Sequence, residues 1–303
     1  MTEKAAPRRR AGGARAWSAL QRSRGTAAAL AALGVLCVLA ALAPWISLQN
    51  PYDLAQLDVV NSRLAPGAHG ASGNLFVLGT DEQGRDMLSA ILFGLRVSLT
   101  VGLTSTVIAL AAGTAAGILA AYEGGAWEAV LMRIVDLQLS FPAILIALVL
   151  LAVLGQGSGK VIAALALTQW AYFARTVRSA AVVEMAKDYI GAARGLALPP
   201  WRIVVFHLLP NCLPPLIVVG TVQAAAAITL EATLSFLGLG VPVTEPSLGL
   251  LIANGFQYLL AGQYWISLFP GVVLVALIAC INVAGDGLRE ALNARRSLDQ
   301  DIP

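Results

Sequence analysis

The stretch that decides the fold is VSLTVGLTSTVIALAAGTAAGILAAY, residues 97–122, which contains no charged side chain. It is longer than the roughly 20 apolar residues that a helix needs to cross the hydrocarbon core of a bilayer. Apolar and polar residues do not alternate along it, which favours a helix over a strand of a membrane barrel. Gly113 and Gly117 form a small-xxx-small pair, which predicts close approach of a second helix. We therefore interpret the stretch as a membrane-spanning helix.

The composition of the whole chain agrees with this interpretation. Hydrophobic residues make up 58% of the 303 residues and charged residues 12%, whereas about 25% of the residues of an ordinary soluble domain are charged. A soluble monomer could not cover such a surface with polar groups, so the bilayer is the expected solvent. The few basic residues are scattered and not interleaved with aromatic residues, which argues against a nucleic-acid partner.

Further apolar stretches predict an all-α polytopic membrane protein with about six spans. The first span is expected at residues 26–48 and is interpreted as retained, because its apolar part exceeds the h-region of a signal peptide. The remaining spans are expected at residues 137–154, at 161–174, within 213–237 and from about 264 to 285.

The distribution of basic residues predicts the orientation. If both termini are cytoplasmic, all but four of the 20 lysines and arginines lie inside, as the positive-inside rule requires. The four that lie outside are Arg63, Arg85, Arg96 and Lys160. This topology gives a basic cytoplasmic tail (1–25), an outer segment that leads into the second span (49–96), a core with five spans (97–288) and a cytoplasmic tail (289–303). The basic tail either sets the topology or binds anionic membrane lipid.

The longest hydrophilic segment between spans, residues 175–207, falls on the cytoplasmic side. Residues 187–198 follow the pattern of a short amphipathic helix, which Pro199 and Pro200 end. A helix lying parallel to the membrane would present small residues where a partner can approach closely, namely Gly191, Ala192 and Ala193.

Four separated motifs occur along the chain. YIGAARGLALPPWRIVVFHLLPN (189–211) resembles the EAA coupling loop of bacterial ABC importer permeases, including the trailing His-x-Leu-Pro-Asn of the peptide class. The other motifs are GTDEQGRDMLS (79–89) followed by GLRVSL (94–99), EATLSFLGLG (231–240) and GDGLR (285–289). Together they resemble the C-type permease subunit of binding-protein-dependent importers for dipeptides, oligopeptides, nickel or glutathione.

The resemblance assigns an ATPase-coupling loop to about residues 184–211. The loop residues that it singles out are Gly191, Ala192, Ala193, Arg194, Ala197 and Pro210. Two positions depart from the family pattern, since Gly191 replaces its glutamate and Ala197 replaces its glycine. The first departure removes a carboxylate that could form a salt bridge with the ATPase.

The resemblance also implies the fold, the location and the partners of the chain. It implies a type I ABC importer permease in the bacterial inner membrane, with a periplasmic outer segment and no enzymatic activity of its own. The expected partners are a homologous permease subunit, two ABC ATPase subunits and a periplasmic substrate-binding protein. ATP and Mg²⁺ would be bound by the ATPases, so no cofactor is expected on this chain. The segments LPNCLPP and PSLGLLIAN favour peptides as substrates, with nickel complexes and glutathione as alternatives.

Secondary transporters and membrane enzymes are the two rival classes of function. Secondary transporters often contain internal repeats with broken helices and paired intramembrane charges; no clear repeat is visible, and a coupling loop would have no purpose there. A membrane enzyme would need clustered His, Asp, Glu or Cys side chains, and the sequence shows no such cluster near one face.

GQGSGK (155–160) differs from a phosphate-binding loop, because Leu154 and Val161 replace its first glycine and its Mg²⁺ ligand. His69 and His207 have no partners at ligand spacing, so no metal site is expected.

Two carboxylates lie within predicted spans. Glu231 either lines the pore, pairs within the subunit or is hydrated near the outer interface. Asp136 either lines the pore or forms a structural ion pair; the pair is favoured, with Arg133, one helical turn earlier, as the expected partner.

Overall fold

The computed structural model describes residues 24–51, 53, 57–242 and 244–300, with side chains as far as Leu292. The predicted tail at 1–25 therefore lies almost entirely outside the described residues, whereas residues 289–300 of the predicted tail 289–303 continue α10. The helices are α1 (Arg24–Ile46), α2 (Met87–Glu123), α3 (Gly125–Leu139), α4 (Ala143–Leu154), α5 (Ser158–Met185), α6 (Asp188–Gly195), α7 (Pro200–Ile203), α8 (Leu209–Phe236), α9 (Leu248–Phe256) and α10 (Trp265–Gln300). The described segments also include a two-stranded antiparallel hairpin, β1 (Ala68–His69) and β2 (Leu75–Phe76), a 3-10 turn at Val59–Asn61 and a π-helical turn at Val204–Leu208.

Four of the described helical segments are long and apolar enough to cross a membrane. They are α1, α2, the segment Pro200–Phe236 that ends with α8, and α10 as far as Leu292. These segments overlap the predicted first, second, fifth and sixth spans. The predicted all-α polytopic architecture is therefore confirmed.

The predicted third and fourth spans (137–154 and 161–174) are not straight apolar helices in the structure. α3 and α4 together form a fifth candidate, but they are bent by 91° between Leu139 and Ala143. The bend lies at Pro142, which has no backbone N–H and disfavours helix for the residue before it. The predicted fourth span lies inside α5, whose 28 residues are long enough to span. Polar side chains such as Gln169 and Arg175 lower its mean hydropathy below that of the four apolar candidates.

Close packing of α2 against α5 organises the bundle. A Cβ added at Gly113 would lie 2.3 Å from the Trp170 carbonyl oxygen, and one at Gly117 would lie 2.4 Å from that of Ala174. Both glycines therefore let the backbone of α5 lie directly on α2, as the small-xxx-small pair predicts. Apolar side chains of α2, α5 and α8, including Phe173 and Cys212, form a buried cluster beside this contact.

The outer segment before α2 is folded and is fixed to the helices. Asp86 caps α2 by accepting a hydrogen bond from the Ser89 N–H at 2.9 Å, so the helix begins at Met87, before the predicted span. Trp265 at the start of α10 donates its indole N–H to the Thr80 carbonyl oxygen at 3.2 Å. The motif 79–89 thus joins the first turns of α2 and α10.

Candidate functional site

The predicted cytoplasmic coupling segment contains a short helix. α6 runs from Asp188 to Gly195, inside the predicted range 187–198. An acidic residue, Asp188, lies in its first turn and a basic residue, Arg194, in its last turn. Both charges suit the dipole of the helix.

The two faces of α6 differ in burial. Ile190 and Ala193 are buried and pack with Ile203 and Leu198 in a small apolar cluster. Gly191, Ala192 and Arg194 are exposed. The expectation that Ala193 is presented with its two small neighbours is therefore corrected. Ala193 follows Ile190 by three residues, and this spacing places both side chains on the same, inward face of the helix.

The end of α6 shows what the replacement of the family glycine by Ala197 does to the backbone. Ala197 has φ +52°, in the left-handed region that favours glycine. Its N–H donates to the Arg194 carbonyl oxygen, and the Leu198 N–H donates to that of Ala193. These two hydrogen bonds define a Schellman motif, in which glycine usually occupies the left-handed position. Ala197 keeps the motif but adds backbone strain.

We expect Ala197→Gly to stabilise the end of the coupling helix. Relief of about 1–2 kcal/mol of left-handed strain is partly offset by the larger entropy of glycine in the unfolded chain, about 0.4–1 kcal/mol. The net gain should raise hydrogen-exchange protection of the Leu198 amide by about two- to fivefold, since each 1.4 kcal/mol corresponds to a factor of ten.

The same motif ends α8 and supplies a matched control. There Gly238 has φ +76°, and the Leu239 N–H donates to the Leu234 carbonyl oxygen. A Cβ added at Gly238 would meet nothing within 4 Å, so Gly238→Ala introduces the backbone strain alone. It should lower protection of the Leu239 amide. Equal protection in both variants and the parent would contradict the strain argument.

A π-helical turn connects the coupling segment to the spanning helix. α7 (Pro200–Ile203) continues through the π turn Val204–Leu208 into α8. Pro210 lies in the first turn of α8 and, because it has no N–H, cannot donate a backbone hydrogen bond to the π turn that precedes it. Turns of this kind occur often at functional sites.

Arg194 reaches from the coupling helix to two spanning helices. Its guanidinium lies 5.8 Å from the centre of the Tyr122 ring, near the end of α2. Its Nη2 lies 3.8 Å from Met185 Sδ, at the end of α5. Arg194 is therefore exposed but positioned by both helices.

Glu231 is buried within the subunit. Its carboxylate accepts hydrogen bonds from Ser98 Oγ of α2 and Ser235 Oγ of α8, each at 2.8 Å. The side chain has no exposed surface, which excludes hydration at the outer interface in this conformation. Of the three interpretations of Glu231, pairing within the subunit agrees with these contacts, which join α2 to α8.

Asp136 pairs with a residue other than the expected one. Its Oδ1 forms an ion pair with Arg175 of α5, so the expectation of Arg133 as partner is wrong. A second ion pair joins Glu128 of α3 to Arg178 of α5. The pairing across two helices depends on how α3 folds back onto α5, which local spacing does not reveal.

Sequence reasoning missed a cavity of about 540 Å³ between α5, α8 and α10. Its lining includes Tyr172, Thr176, Pro214, Val218, Gln223 and Arg289. The adjacent prolines Pro214 and Pro215, unusual inside a helix, are the sequence signal that could have drawn attention to this part of α8.

Comparison with known proteins gives a consistent result. Residues 113–298 match the family described as the binding-protein-dependent transport system inner membrane component. A putative peptide transport system permease protein of Brucella abortus is 39% identical over 280 residues, which are 92% of this chain and 91% of that protein. The di/tripeptide transport system permease protein DppC of Pseudomonas aeruginosa is 34% identical over 92% of this chain and 91% of its own length. The dipeptide transport system permease protein DppC of Escherichia coli is 34% identical over 92% of each chain.

Solved structures resemble the fold. Two crystal forms of the MetNI methionine ABC transporter in inward-facing conformations match with TM-scores of 0.55 and 0.56. Each match covers 68% of this chain and 97% of the compared chain at 23% sequence identity. At this identity the likeness concerns the fold alone.

Proposed function

Because the chain belongs to the family of binding-protein-dependent transport system inner membrane components and is the permease component of an ABC importer, we propose that it translocates di- and oligopeptides across the bacterial inner membrane. The observation that carries the substrate class is the similarity, over more than nine-tenths of this chain, to proteins named as peptide, dipeptide and di/tripeptide permeases. Nickel complexes and glutathione are the alternative substrates.

The proposed assembly contains four kinds of chain. This permease pairs with a homologous permease, two ABC ATPase subunits bind on the cytoplasmic side, and a substrate-binding protein docks on the periplasmic side. Both termini of this chain face the cytoplasm, as the distribution of basic residues supports. ATP and Mg²⁺ are bound and ATP is hydrolysed by the ATPase chains.

The exposed face of α6 is proposed as the contact with an ATPase. Gly191, Ala192 and Arg194 are exposed on this helix, and the two small residues allow close approach of a partner surface. On this proposal, closure of the ATPase dimer displaces α6, and α6 moves the spanning helices between inward and outward access. The buried Ala193 supports the helix from inside, and Pro210 marks where the loop enters α8.

The cavity between α5, α8 and α10 is proposed to form this subunit's share of the passage. Its lining combines apolar side chains with the polar groups of Tyr172, Gln223 and Arg289. Such a mixture suits substrates that carry both peptide groups and apolar side chains. The partner permease would complete the wall.

The proposal is tested by purification and reconstitution. The tagged chain is extracted in mild detergent, its partners are identified, and the complex is reconstituted with its binding protein. We expect two ATPase chains and a second permease, and ATP-dependent uptake of labelled dipeptide that exceeds uptake of glutathione or nickel. If the chain purifies alone and transports without ATP, a secondary transporter is the correct class. If uptake favours nickel or glutathione, only the substrate assignment is wrong.

A further inference from the structure

One hydroxyl group joins three helices at the coupling segment. Tyr189 lies in the first turn of α6, Glu184 near the end of α5 and Asn211 in the first turn of α8. The Tyr189 hydroxyl donates to Glu184 Oε2 at 2.8 Å and accepts from Asn211 Nδ2 at 3.2 Å. The coupling helix is thus linked at the same atom to α5, which precedes it, and to α8, which follows after α7 and the π turn.

Both neighbours of this hydroxyl are held by further contacts. Asn211 also donates to the His207 carbonyl oxygen of the π turn at 2.7 Å. Glu184 also accepts from Lys187 Nζ at 2.7 Å, just before α6. Burial and the adjacent Glu184 carboxylate raise the pKa of Tyr189 to about 12, so the hydroxyl keeps its proton at physiological pH. The donor and acceptor roles in this chain of hydrogen bonds are therefore fixed.

The apolar contacts of α6 do not provide the same connection. The cluster around Ile190 and Ala193 includes Leu198 and Ile203, all within the coupling segment. The buried cluster of α2, α5 and α8, which contains Leu208 and Cys212, is separate from it. The buried apolar cluster therefore attaches α6 to α7, the Tyr189 hydroxyl attaches it to α5 and α8, and Arg194 adds contacts with α2 and α5.

We propose that Tyr189 is a positioning residue whose hydroxyl passes a displacement of α6 to α5 and α8 together. This inference rests on the proposed role of α6 as the helix that the ATPases displace. A hydroxyl can donate one hydrogen bond and accept others, so it can hold a carboxylate and an amide at once. Without it, α6 remains joined to α8 through α7 and the π turn, a segment with more freedom to deform. Movement of α6 is then transmitted only in part to α5 and α8, which line the proposed passage.

The test is Tyr189→Phe in the complete reconstituted importer, with transported dipeptide counted per ATP hydrolysed. Phenylalanine retains the ring and removes the hydroxyl alone. We expect transport per ATP to fall by about two- to tenfold, because these hydrogen bonds join exposed side chains and water can replace part of what is lost. ATP hydrolysis and the amount of bound ATPase should stay within about twofold of the parent, because the exposed face of α6 is unchanged.

Tyr122→Phe is the matched control. It removes the hydroxyl of another tyrosine that contacts α6, while its ring stays beneath Arg194. Within the described part of the chain no hydrogen bond of the Tyr122 hydroxyl is found, so transport per ATP should be unchanged. The double variant Tyr189→Phe/Asn211→Ala tests the link itself. Its loss of coupling should be smaller than the product of the two single losses, because both changes break the Tyr189–Asn211 hydrogen bond, whereas only one of them also breaks the bond to Glu184 and the other the bond to His207.

The outcomes separate this inference from the proposed function. If the parent complex lacks ATPases or transports without ATP, the proposed function fails. If the parent couples normally and Tyr189→Phe keeps its transport per ATP, only the role of Tyr189 is overturned. Release of the ATPases by Tyr189→Phe, or multiplicative losses in the double variant, would also overturn it.

Discussion

Ala192→Trp should release the ATPase subunits and abolish ATP-driven uptake. Ala192 lies on the exposed face of α6 next to Gly191, where the proposed contact depends on small side chains. An indole at this position would hold the two surfaces apart and leave the surrounding contacts unmade. A loss of only about 1.4 kcal/mol weakens association tenfold, and overpacking typically costs about 1–3 kcal/mol. We therefore expect a fall of about 5- to 150-fold in the affinity for the ATPase, and a corresponding loss of the ATPase that co-purifies with the tagged permease.

The control for this experiment is Ala71→Trp. Ala71 is also an exposed alanine, but it lies in the outer segment, between β1 and β2. The same side chain is added there without changing α6 or its surroundings. ATPase binding should equal that of the parent. Retention of ATPases and uptake by Ala192→Trp would show that the exposed face of α6 is not the contact.

Ala192 is substituted rather than Ala193 because Ala193 is buried, and the sequence alone does not show which of the small residues is buried. The sequence predicted a short helix and three consecutive small residues, but not which of them faces the protein. That depends on where Ile203 and Leu198 fold back onto the helix. A large residue at the buried Ala193 would disrupt the cluster itself, and its effect could not be assigned to the ATPase contact.

The spanning helices were predictable because each must carry about 20 apolar residues to cross the bilayer. Length and hydropathy located α1, α2, α8 and α10. The bend between α3 and α4 was harder to predict, because a proline at the start of an apolar run is compatible with either a kinked span or two helices. Of α5, only residues 161–174 were predicted to form a span. The residues that follow them are polar enough to belong to a loop.

Polar pairs show the limit of local reasoning. Arg133 precedes Asp136 by three residues and was the natural partner, but Arg175 reaches the carboxylate from another helix. Tyr189, Glu184 and Asn211 likewise meet only because α6 folds back between the ends of α5 and α8. Such pairs depend on tertiary packing, whereas the Gly113 and Gly117 contact was signalled by a pattern within one helix.

Gly113→Ala should destabilise the helix bundle although it adds a single methyl group. The new Cβ would lie 2.3 Å from the Trp170 carbonyl oxygen and 2.6 Å from Phe173 Cβ. Neither atom is the end of a flexible side chain, so α2 and α5 must move apart. Overpacking of this kind costs about 1–3 kcal/mol. The helix propensity gained by replacing glycine with alanine, up to about 1 kcal/mol, offsets part of this cost.

The buried thiol of Cys212 reports on this contact. Cys212 lies in the same apolar cluster as Phe173, whereas Cys37 is exposed. The folded protein is treated with an alkylating reagent, and mass spectrometry of the peptide that contains Cys212 gives the rate of alkylation. This rate measures how often the cluster opens. A net loss of about 1–2 kcal/mol should increase its rate by about 5- to 30-fold. Cys37 lies within the apolar span α1, so its alkylation should stay slow in every variant, and the Cys212 rate of the parent at equal reagent concentration serves as the standard.

Gly34→Ala is the matched substitution for this prediction. Gly34 also lies within an apolar helix, α1, but a Cβ there meets nothing within 4 Å. The methyl group should therefore be neutral or slightly stabilising, because only the helix propensity changes. Opposite signs for the two variants would establish that the backbone contact between α2 and α5, and not glycine as such, is what the bundle requires. Equal alkylation of Cys212 in Gly113→Ala, Gly34→Ala and the parent would show that the two helices can separate at no cost.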